Sequence, residues 1–313
     1  MATYLVTGGA GFIGSNIVRE LVGRGETVRV LDDLSTGKIE NLAGLMEQID
    51  FISGSITDME TAARSVAGAD YVLHQAALAS VQRSVDSPLA TDEVNVRGTL
   101  NMLIAARDAG VKRFVFASSS SVYGESEELP KRETMPTAPI SPYGVSKLAG
   151  EAYCMAFHAA YGMPAVALRY FNVFGPRQDP QSHYAAVIPL FVTALLNGTQ
   201  PTVFGDGLQS RDFSYVSNVV NANLLACRAP GAAGQIFNIA CNRQHTLLEL
   251  LEVLRGLIGS EVETLFSPAR AGDIKHSLAD TSKARHLLGY DPGVGFHEGL
   301  VHTVLWYQEQ QPG

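Results

Sequence analysis

Short apolar runs alternate with amphipathic segments from the start of the chain to about residue 170. Runs rich in β-branched and aromatic residues, which are typical of buried strands, lie at 4–7, 27–31, 49–53, 71–74, 113–117 and 165–169. Segments with apolar residues at helical spacing lie between them, at 12–24, 59–66, 89–109 and 142–161. This alternation predicts an α/β fold built on a doubly wound parallel sheet.

The pattern becomes less regular beyond residue 172. A polar loop there precedes a predicted helix over 186–197 and a short strand over 202–204, without any internal repeat or Gly/Ser-rich linker. A length of 313 residues suits one large α/β domain with a smaller appendage. We predict that residues 1–172 form the sheet domain, to which later segments return, and that residues 173–313 mainly form a smaller α/β domain that binds the substrate.

Composition places the chain among ordinary globular enzymes. Hydrophobic residues make up 46% and charged residues 17% of the sequence. The net charge of −8 does not suit a nucleic-acid or anionic membrane surface, so an anionic ligand must be bound by a few local arginines. No apolar run is long enough to span a bilayer and no signal peptide is recognisable, so we expect a cytoplasmic protein.

Cysteines and histidines give no sign of a metal site or a disulfide. The three cysteines, Cys154, Cys227 and Cys241, are scattered among apolar residues, which favours buried free thiols. His158, His183 and His276 have no carboxylate or thiolate at ligand spacing, so we assign them no metal.

A glycine-rich turn separates the first predicted strand from the first helix. Gly8, Gly11 and Gly14 follow a G-x-x-G-x-x-G spacing. Glycines here permit a tight turn, close approach of the backbone to a diphosphate, and packing of the helix on the strand with its N-terminus facing the anion.

An acidic residue follows the second predicted strand. Asp32 lies at the distance from the glycine turn at which a carboxylate binds the adenosine ribose of a dinucleotide. A carboxylate favours a free 2′-hydroxyl and therefore NAD, although Arg24 and Lys38 nearby leave NADP open as an alternative.

A second group of residues has side chains suited to acid–base chemistry. It begins with the run 118–121, which consists of four serines. Tyr143 and Lys147 follow on a predicted helix, where a spacing of four residues brings side chains to one face about 6 Å apart. A free tyrosine has a pKa near ~10, and bringing it to neutrality requires roughly 4 kcal/mol of preferential stabilisation of the phenolate. Lys147 and a positively charged nicotinamide would supply it, which would make Tyr143 a general base with Ser119 beside it.

Polar residues follow the ends of several predicted strands. They include Asp32, Asp58, the segment 76–78, the serine run and the segment 170–172. In a doubly wound sheet, ligands bind beyond the carboxyl ends of the strands. We therefore expect these residues to converge on one crevice.

The glycine turn, the Tyr143/Lys147 pair, Ser119, Asn95 and the segment 169–176 together resemble the extended short-chain dehydrogenase/reductase family over nearly the whole chain. Within that family the sequence is similar to the UDP-sugar 4-epimerases, which implies a Rossmann fold and NAD as the cofactor. The implied cofactor-binding residues are Gly8, Gly11, Phe12, Ile13, Gly14, Asp32, Ser55, Ile56, Ala76, Ala77, Asn95, Tyr143, Lys147 and Tyr170. The implied substrate-binding residues are Ser80, Arg83, Ser120, Tyr143, Asn172, Val187, Phe204, Arg211, Arg270, Asp273 and Ser277.

The resemblance also implies a reaction. Tyr143 would take the proton of the sugar 4-hydroxyl while hydride passes from C4 to NAD. Ser119 would hold that oxygen, and Lys147 would bind the nicotinamide ribose. The 4-keto sugar would turn over and receive the hydride on its opposite face. Related dehydratases carry Thr-Asp-Glu, and related decarboxylases keep a glutamate, where this chain has residues 119–121 as serines, so epimerisation is implied.

Three features refine this expectation. Ser55 stands where similar family members have an aspartate that binds the adenine amino group, so we expect a weaker cofactor contact. The segment 75–84, and Ser277 in place of a tyrosine, imply that UDP-GlcNAc/UDP-GalNAc is accepted as well as UDP-Glc/UDP-Gal. The helices at 89–109 and 142–161 resemble those that pair in family dimers, which implies a homodimer.

Other functions remain open from the sequence alone. They are a UDP-glucuronate 4-epimerase, a UDP-sugar dehydrogenase or reductase that releases NADH, and a non-catalytic NAD-binding regulatory protein. Proteins of the last kind typically lack the tyrosine or the lysine, and both are present here.

Overall fold

The computed structural model describes residues 1–180, 186–269 and 275–311. In chain order its strands are β1 (Thr3–Thr7), β2 (Thr27–Asp32), β3 (Ile49–Ser53), β4 (Tyr71–His74), β5 (Arg113–Ser119), β6 (Ala165–Tyr170), β7 (Val173–Phe174), β8 (Thr202–Phe204), β9 (Ser210–Arg211), β10 (Ser214–Tyr215), β11 (Gln235–Ile239), β12 (His245–Thr246) and β13 (Leu265–Ser267). Its α-helices are α1 (Phe12–Gly23), α2 (Met59–Val66), α3 (Val81–Asp86), α4 (Pro88–Asp92), α5 (Thr99–Asp108), α6 (Pro142–Tyr161), α7 (Val187–Leu196), α8 (Val216–Arg228), α9 (Leu247–Ile258), α10 (Ser282–Leu288) and α11 (Phe296–Glu309).

Seven parallel strands form the main sheet, in the spatial order β3-β2-β1-β4-β5-β6-β11. The order reverses between β1 and β4, because the chain builds outward first on one side of β1 and then on the other. The doubly wound sheet predicted from the sequence is therefore confirmed. Such a reversal opens a crevice at the carboxyl ends of the strands, where ligands bind in this class of fold.

Apolar side chains cover both faces of this sheet. On β1, for example, Val6 packs with α1 and α8 residues on one face, whereas Leu5 packs with α2 and α5 residues on the other. All six residues of β6 are buried. Burial on both faces explains why these strands read as continuous apolar runs rather than alternating ones.

The predicted helix over 89–109 is wrong in detail, because it is divided. A π-helical turn, Glu93–Gly98, lies between α4 and α5. The Thr99 hydroxyl donates to the Asn95 carbonyl oxygen at 2.6 Å, and a Cβ on Gly98 would lie 2.6 Å from the Ile56 side chain. The wider turn places Asn95 on the side of the helix that faces the loop after β4, since its side-chain oxygen accepts from the Leu78 amide at 2.8 Å.

Two-stranded sheets lie outside the main sheet in the second half of the described chain. β7 pairs with β10, β8 with β13 and β9 with β12. By contrast, β11 returns to the edge of the main sheet and α8 packs against α1. The division of the chain at residue 172 stays a prediction.

Candidate active site

A cavity of about 680 Å³ lies at the carboxyl ends of β1, β2, β4 and β5. The glycine turn lines one end, and Tyr143 and Lys147 line the other. Of the residues predicted to bind cofactor or substrate, those that line this cavity are Gly8, Gly11, Phe12, Ile13, Gly14, Asp32, Ile56, Ala76, Ala77, Ser80, Arg83, Tyr143, Lys147 and Tyr170.

The glycine turn leaves the backbone open to a ligand. Gly8 has a φ of +68°, and a Cβ there would lie 2.7 Å from the Ala76 amide nitrogen. A Cβ on Gly14 would lie 2.1 Å from the Gly8 carbonyl oxygen, so α1 packs directly on the turn. No side chain caps the first turn of α1, and no acidic residue lies in it. This end of the helix suits the diphosphate of a dinucleotide.

Asp32 lies at the end of β2 and lines the same end of the cavity. Its carboxylate accepts hydrogen bonds from the Ala10 amide at 2.9 Å and the Leu34 amide at 2.8 Å. Burial raises the pKa of Asp32, and the two amides partly offset that effect. Arg24 and Lys38, the two side chains that kept NADP as an alternative, both form ion pairs within the protein. Arg24 pairs with Glu20 at 2.7 Å, and Lys38 pairs with Asp179 at 3.0 Å.

Tyr143 lies in the first turn of α6, and Lys147 lies one turn later. The helix begins there because the Ser141 hydroxyl caps it, accepting from the Gly144 amide at 3.1 Å. Lys147 Nζ donates to the Ala117 carbonyl oxygen of β5 at 2.8 Å and lies 5.8 Å from the centroid of the Tyr143 ring. Ser119, the last residue of β5, lies near enough to the Tyr143 phenol to lower its pKa, and the Ser119 hydroxyl donates to Ser121 Oγ at 3.0 Å.

The prediction that Lys147 and a bound nicotinamide lower the pKa of Tyr143 concerns the enzyme with its cofactor and stays a prediction. Burial raises the pKa of Tyr143, and only the nearby Ser119 side chain lowers it. Burial also lowers the pKa of Lys147 to about 8. Both shifts follow from taking a charged form out of water, and the positive charge of a bound oxidised nicotinamide would lower the phenol pKa.

Asn95 and Ser55 are not among the residues that line the cavity, and their part in binding the cofactor stays a prediction. The Asn95 amide nitrogen donates to Ser146 Oγ of α6 at 3.0 Å, so this residue joins α6 to the loop after β4. Ser55 Oγ accepts from the Thr57 hydroxyl at 3.0 Å, while its neighbours Gly54 and Ile56 line the cavity. Asp58 caps α2, accepting from the Thr61 amide at 3.2 Å, which makes its role structural.

The predicted sugar-binding residues beyond the main sheet converge in part. The Asn172 amide nitrogen lies 3.4 Å from Ser277 Oγ, and the Ser277 amide donates to the Ser210 carbonyl oxygen at 3.0 Å. Arg211 follows Ser210 in β9 and donates to the Lys275 carbonyl oxygen at 3.2 Å. Asn172, Arg211 and Ser277 therefore lie together.

The remaining predicted positions are more dispersed. Ser120 begins a short 3₁₀ turn after β5, Val187 begins α7 and Phe204 ends β8. Arg270 and Asp273 lie outside the described residues.

A buried ion pair behind the candidate catalytic residues was missed by the sequence analysis. Glu151 of α6 receives two hydrogen bonds from Arg169 of β6, at 2.8 and 2.7 Å, and a third from Ser118 at 2.5 Å. Ser118 precedes Ser119, and Glu151 lies one turn after Lys147. This pair therefore fixes α6 against β5 and β6 at the site.

Two further cavity-lining residues were also missed. Gln75 accepts from the Tyr170 phenol at 3.2 Å, which holds Tyr170 at the base of the cavity. Arg177, which follows a glycine and a proline, lines the glycine end of the cavity. Within the described ranges, no group of three or more His, Cys, Asp or Glu residues could hold a metal ion. No helix among those ranges is long and apolar enough to cross a membrane.

Comparisons with known proteins agree with this geometry. Residues 4–240 match the family model described as the NAD dependent epimerase/dehydratase family, and the chain belongs to that family. A UDP-N-acetylglucosamine 4-epimerase from Methanobrevibacter ruminantium M1, solved with UDP-N-acetylmuramic acid, is 41% identical, with a TM-score of 0.95 over 99% of both chains.

Two further relatives carry the UDP-glucose 4-epimerase name. That of Mycolicibacterium smegmatis is 40% identical over 98% of both chains. That of Thermus thermophilus, solved with NAD, is 39% identical, with a TM-score of 0.90 over 99% of this chain and 100% of the other. The expected family and the expected cofactor, NAD, are thus confirmed. The open glycine turn, the uncapped α1 and Asp32 fit that cofactor.

Proposed function

We propose that this protein is a UDP-sugar 4-epimerase that inverts C4 of a UDP-hexose through a transient 4-keto sugar. The observation that carries the proposal is the placement of Tyr143 and Lys147 at one end of a cavity whose other end fits NAD, with Ser119 beside the phenol at the end of β5. Bound NAD would accept hydride from the sugar and return it. The protein's own side chains would then carry out the proton transfers.

Each of these side chains has one task. Tyr143 takes the proton from the sugar 4-hydroxyl and gives it back after the ketone has turned over. Ser119 donates to the same oxygen and keeps it within reach of the phenol. Lys147, held by the Ala117 carbonyl oxygen at 2.8 Å, presents an ammonium group to the ribose side of the cofactor site. Lys147 is buried and Tyr143 is half-buried, which limits the access of bulk water to the transferred proton.

The lining of the cavity favours epimerisation over dehydration. Loss of water from the sugar requires a carboxylic acid beside the tyrosine to protonate the leaving hydroxyl. Among the described residues, the carboxylates that line the cavity are Asp32, Asp33 and Asp179, all from the segments that surround the glycine turn. Glu151 lies nearer to the tyrosine in the fold but is neutralised by Arg169. The hydroxyls of residues 119–121 can bind the sugar but cannot supply the acid.

The phenol of Tyr143 provides the test of this mechanism. Tyr143→Phe removes the proton acceptor and keeps the ring, so turnover should fall by about two to four orders of magnitude. The NAD content of the purified protein should stay at the wild-type level. Turnover near that of wild type would remove the phenol from the mechanism.

We further propose that the enzyme accepts UDP-GlcNAc and UDP-GalNAc as well as UDP-Glc and UDP-Gal. Support comes from Ser277, whose small side chain lies beside Asn172 where a tyrosine would fill space. A close-packed pocket rejects extra heavy atoms at a cost of roughly 1–3 kcal/mol, whereas an enlarged pocket loses only contacts with the smaller sugar.

A comparison of sugar pairs in wild type and Ser277→Tyr tests this range. The tyrosine should lower kcat/KM for the acetylated pair by about tenfold or more and leave the UDP-Glc/UDP-Gal pair within threefold. Ser217→Tyr, a substitution at an exposed position of α8 that does not line the cavity, serves as the control. If wild type ignores the acetylated sugars and converts UDP-glucuronate, Ser277 does not act as proposed and a UDP-glucuronate 4-epimerase replaces this assignment.

A cytoplasmic homodimer that pairs through α6 and the helices before it completes the proposal. Large apolar side chains are exposed on these elements, among them Val85, Leu89 and Val145, which are 56%, 85% and 53% exposed. Contiguous exposed apolar residues are typical of an interface. Sedimentation at micromolar concentration should give a dimer, and Leu89→Glu should shift it to monomer; a monomeric wild type would contradict the proposal.

A further inference from the structure

Arg177 lies where the segment after β7 passes the first turns of α1. Its Nη2 donates to Asn16 Oδ1 at 2.5 Å, and the Asn16 amide nitrogen donates in turn to the Pro176 carbonyl oxygen at 3.2 Å. Arg177 has a φ of +70°, a conformation that is rare for a side chain with a Cβ and that must be held by its surroundings. The residue lines the cavity at its glycine end. Its backbone and its side chain are thus both fixed beside α1.

The charge of Arg177 is not balanced by any carboxylate in the described chain. Its hydrogen-bond partner there is the neutral Asn16 amide, and its buried Nε has no partner among the described residues. Burial, and the positive charge of Arg19, lower the pKa of Arg177 to about 10, so the group is still protonated at neutral pH. Taking a cation out of water without an anion is unfavourable. Arg177 is only half-buried, but an anion in the cavity beside it would be stabilised by this charge.

The neighbouring side chains do not supply that anion. Asp179, two residues along the chain, pairs with Lys38 at 3.0 Å on the rim of the cavity. Arg19 donates to the Asn41 and Ala43 carbonyl oxygens, at 2.9 and 3.0 Å, and so adds a second cation on the same side. The Tyr307 phenol donates to the Gln178 carbonyl oxygen, which fixes the segment from its far side.

We propose that Arg177 binds the diphosphate of NAD together with the uncapped first turn of α1. Asn16, in the second turn of that helix, orients the guanidinium, and because Nε is buried, the terminal nitrogens are the donors that would reach a phosphate oxygen. Arginine suits this role because its planar fork donates from fixed directions. The segment 176–179, which leads into the second half of the chain, would then retain NAD through successive turnovers.

Binding of nucleotide fragments separates this role from a structural one. ADP-ribose contains the diphosphate and adenosine does not, so the affinity of each for nucleotide-free enzyme is measured by calorimetry. Arg177→Gln should weaken ADP-ribose by about tenfold or more and change adenosine by less than twofold. Arg177→Lys, which keeps the charge but not the fork, should lie between wild type and Arg177→Gln. Arg19→Gln removes the neighbouring cation outside the cavity and should leave both affinities within twofold.

Release of NAD from the purified enzyme gives a second readout that does not use activity. Excess radiolabelled NAD should displace bound NAD faster from Arg177→Gln than from wild type, and salt should accelerate release less in the variant. Equal weakening of ADP-ribose and adenosine, or no change in either, would overturn the proposal. If Arg177→Gln does not fold, as judged by circular dichroism, unchanged ADP-ribose affinity in Arg177→Lys would overturn it.

Discussion

The buried ion pair behind the site makes a strong prediction about stability. The side chains of Arg169 and Glu151 are 3% and 2% exposed, and two hydrogen bonds of 2.8 and 2.7 Å join them. Glu151→Gln keeps the shape but leaves the Arg169 guanidinium charged and uncompensated in the interior. Removing one partner of such a pair typically costs about 3–5 kcal/mol. That is a large part of the free energy of unfolding of a typical domain, about 5–15 kcal/mol.

Urea unfolding followed by far-UV circular dichroism measures this loss, and the thermal midpoint should fall by roughly 6–10 °C. Glu20→Gln is the matched control, because it breaks the exposed Arg24–Glu20 pair of 2.7 Å on α1 and should cost less than about 1 kcal/mol. Replacing both Glu151 and Arg169 by methionine should destabilise less than Glu151→Gln alone, since no buried charge remains. A Glu151→Gln variant within about 1 kcal/mol of wild type would refute this reasoning.

Two further predictions concern the site itself. The buried Lys147 has a folded-state pKa of about 8 against 10.5 for the unfolded chain, so its charge destabilises the fold below pH 8 and this cost disappears as pH rises to 10.5. Lys147→Met should therefore be more stable than wild type at pH 7, by up to about 3 kcal/mol, and urea titrations should show the gap closing by pH 10.5; a constant gap would contradict the shift. Gly8→Ala should cost well over about 1 kcal/mol and abolish NAD retention, because its Cβ would meet the Ala76 backbone at 2.7 Å. Gly25→Ala, at a similar φ of +72° but in open space, should cost only about 1 kcal/mol and retain NAD; equal effects would contradict the close approach at Gly8.

The main sheet was predictable because the spacing of apolar residues differs between strands and helices. Its strands are also buried on both faces, so they read as continuous apolar runs. The strands at 49–53 and 71–74 and the helices at 59–66 and 142–161 begin and end in the structure where the apolar pattern places them. The seventh strand, β11, was not foreseen. It pairs with β6 across a long stretch of sequence, and such a pairing leaves little local signal.

The candidate site was predictable where short spacings carry the chemistry. The glycine turn, Asp32 and the Tyr143/Lys147 pair are each defined by local sequence, and the topology brings them to one cavity. The other features of the site depend on tertiary contacts. The π-helical turn that places Asn95 depends on hydrogen bonds from Thr99 and Leu78, and the raised pKa of Tyr143 depends on burial. Neither effect can be inferred from residue order alone.

The most direct test of the account follows the sugar and the cofactor in one experiment. Purified enzyme is given UDP-GlcNAc or UDP-Glc without added NAD, and proton NMR follows the sugar while absorbance follows NADH. The account predicts that each sugar reaches an equilibrium mixture of its two C4 epimers, with no more NADH than enzyme at any time. Accumulation of NADH in proportion to the sugar consumed, or of a dehydrated 4-keto sugar, would contradict it.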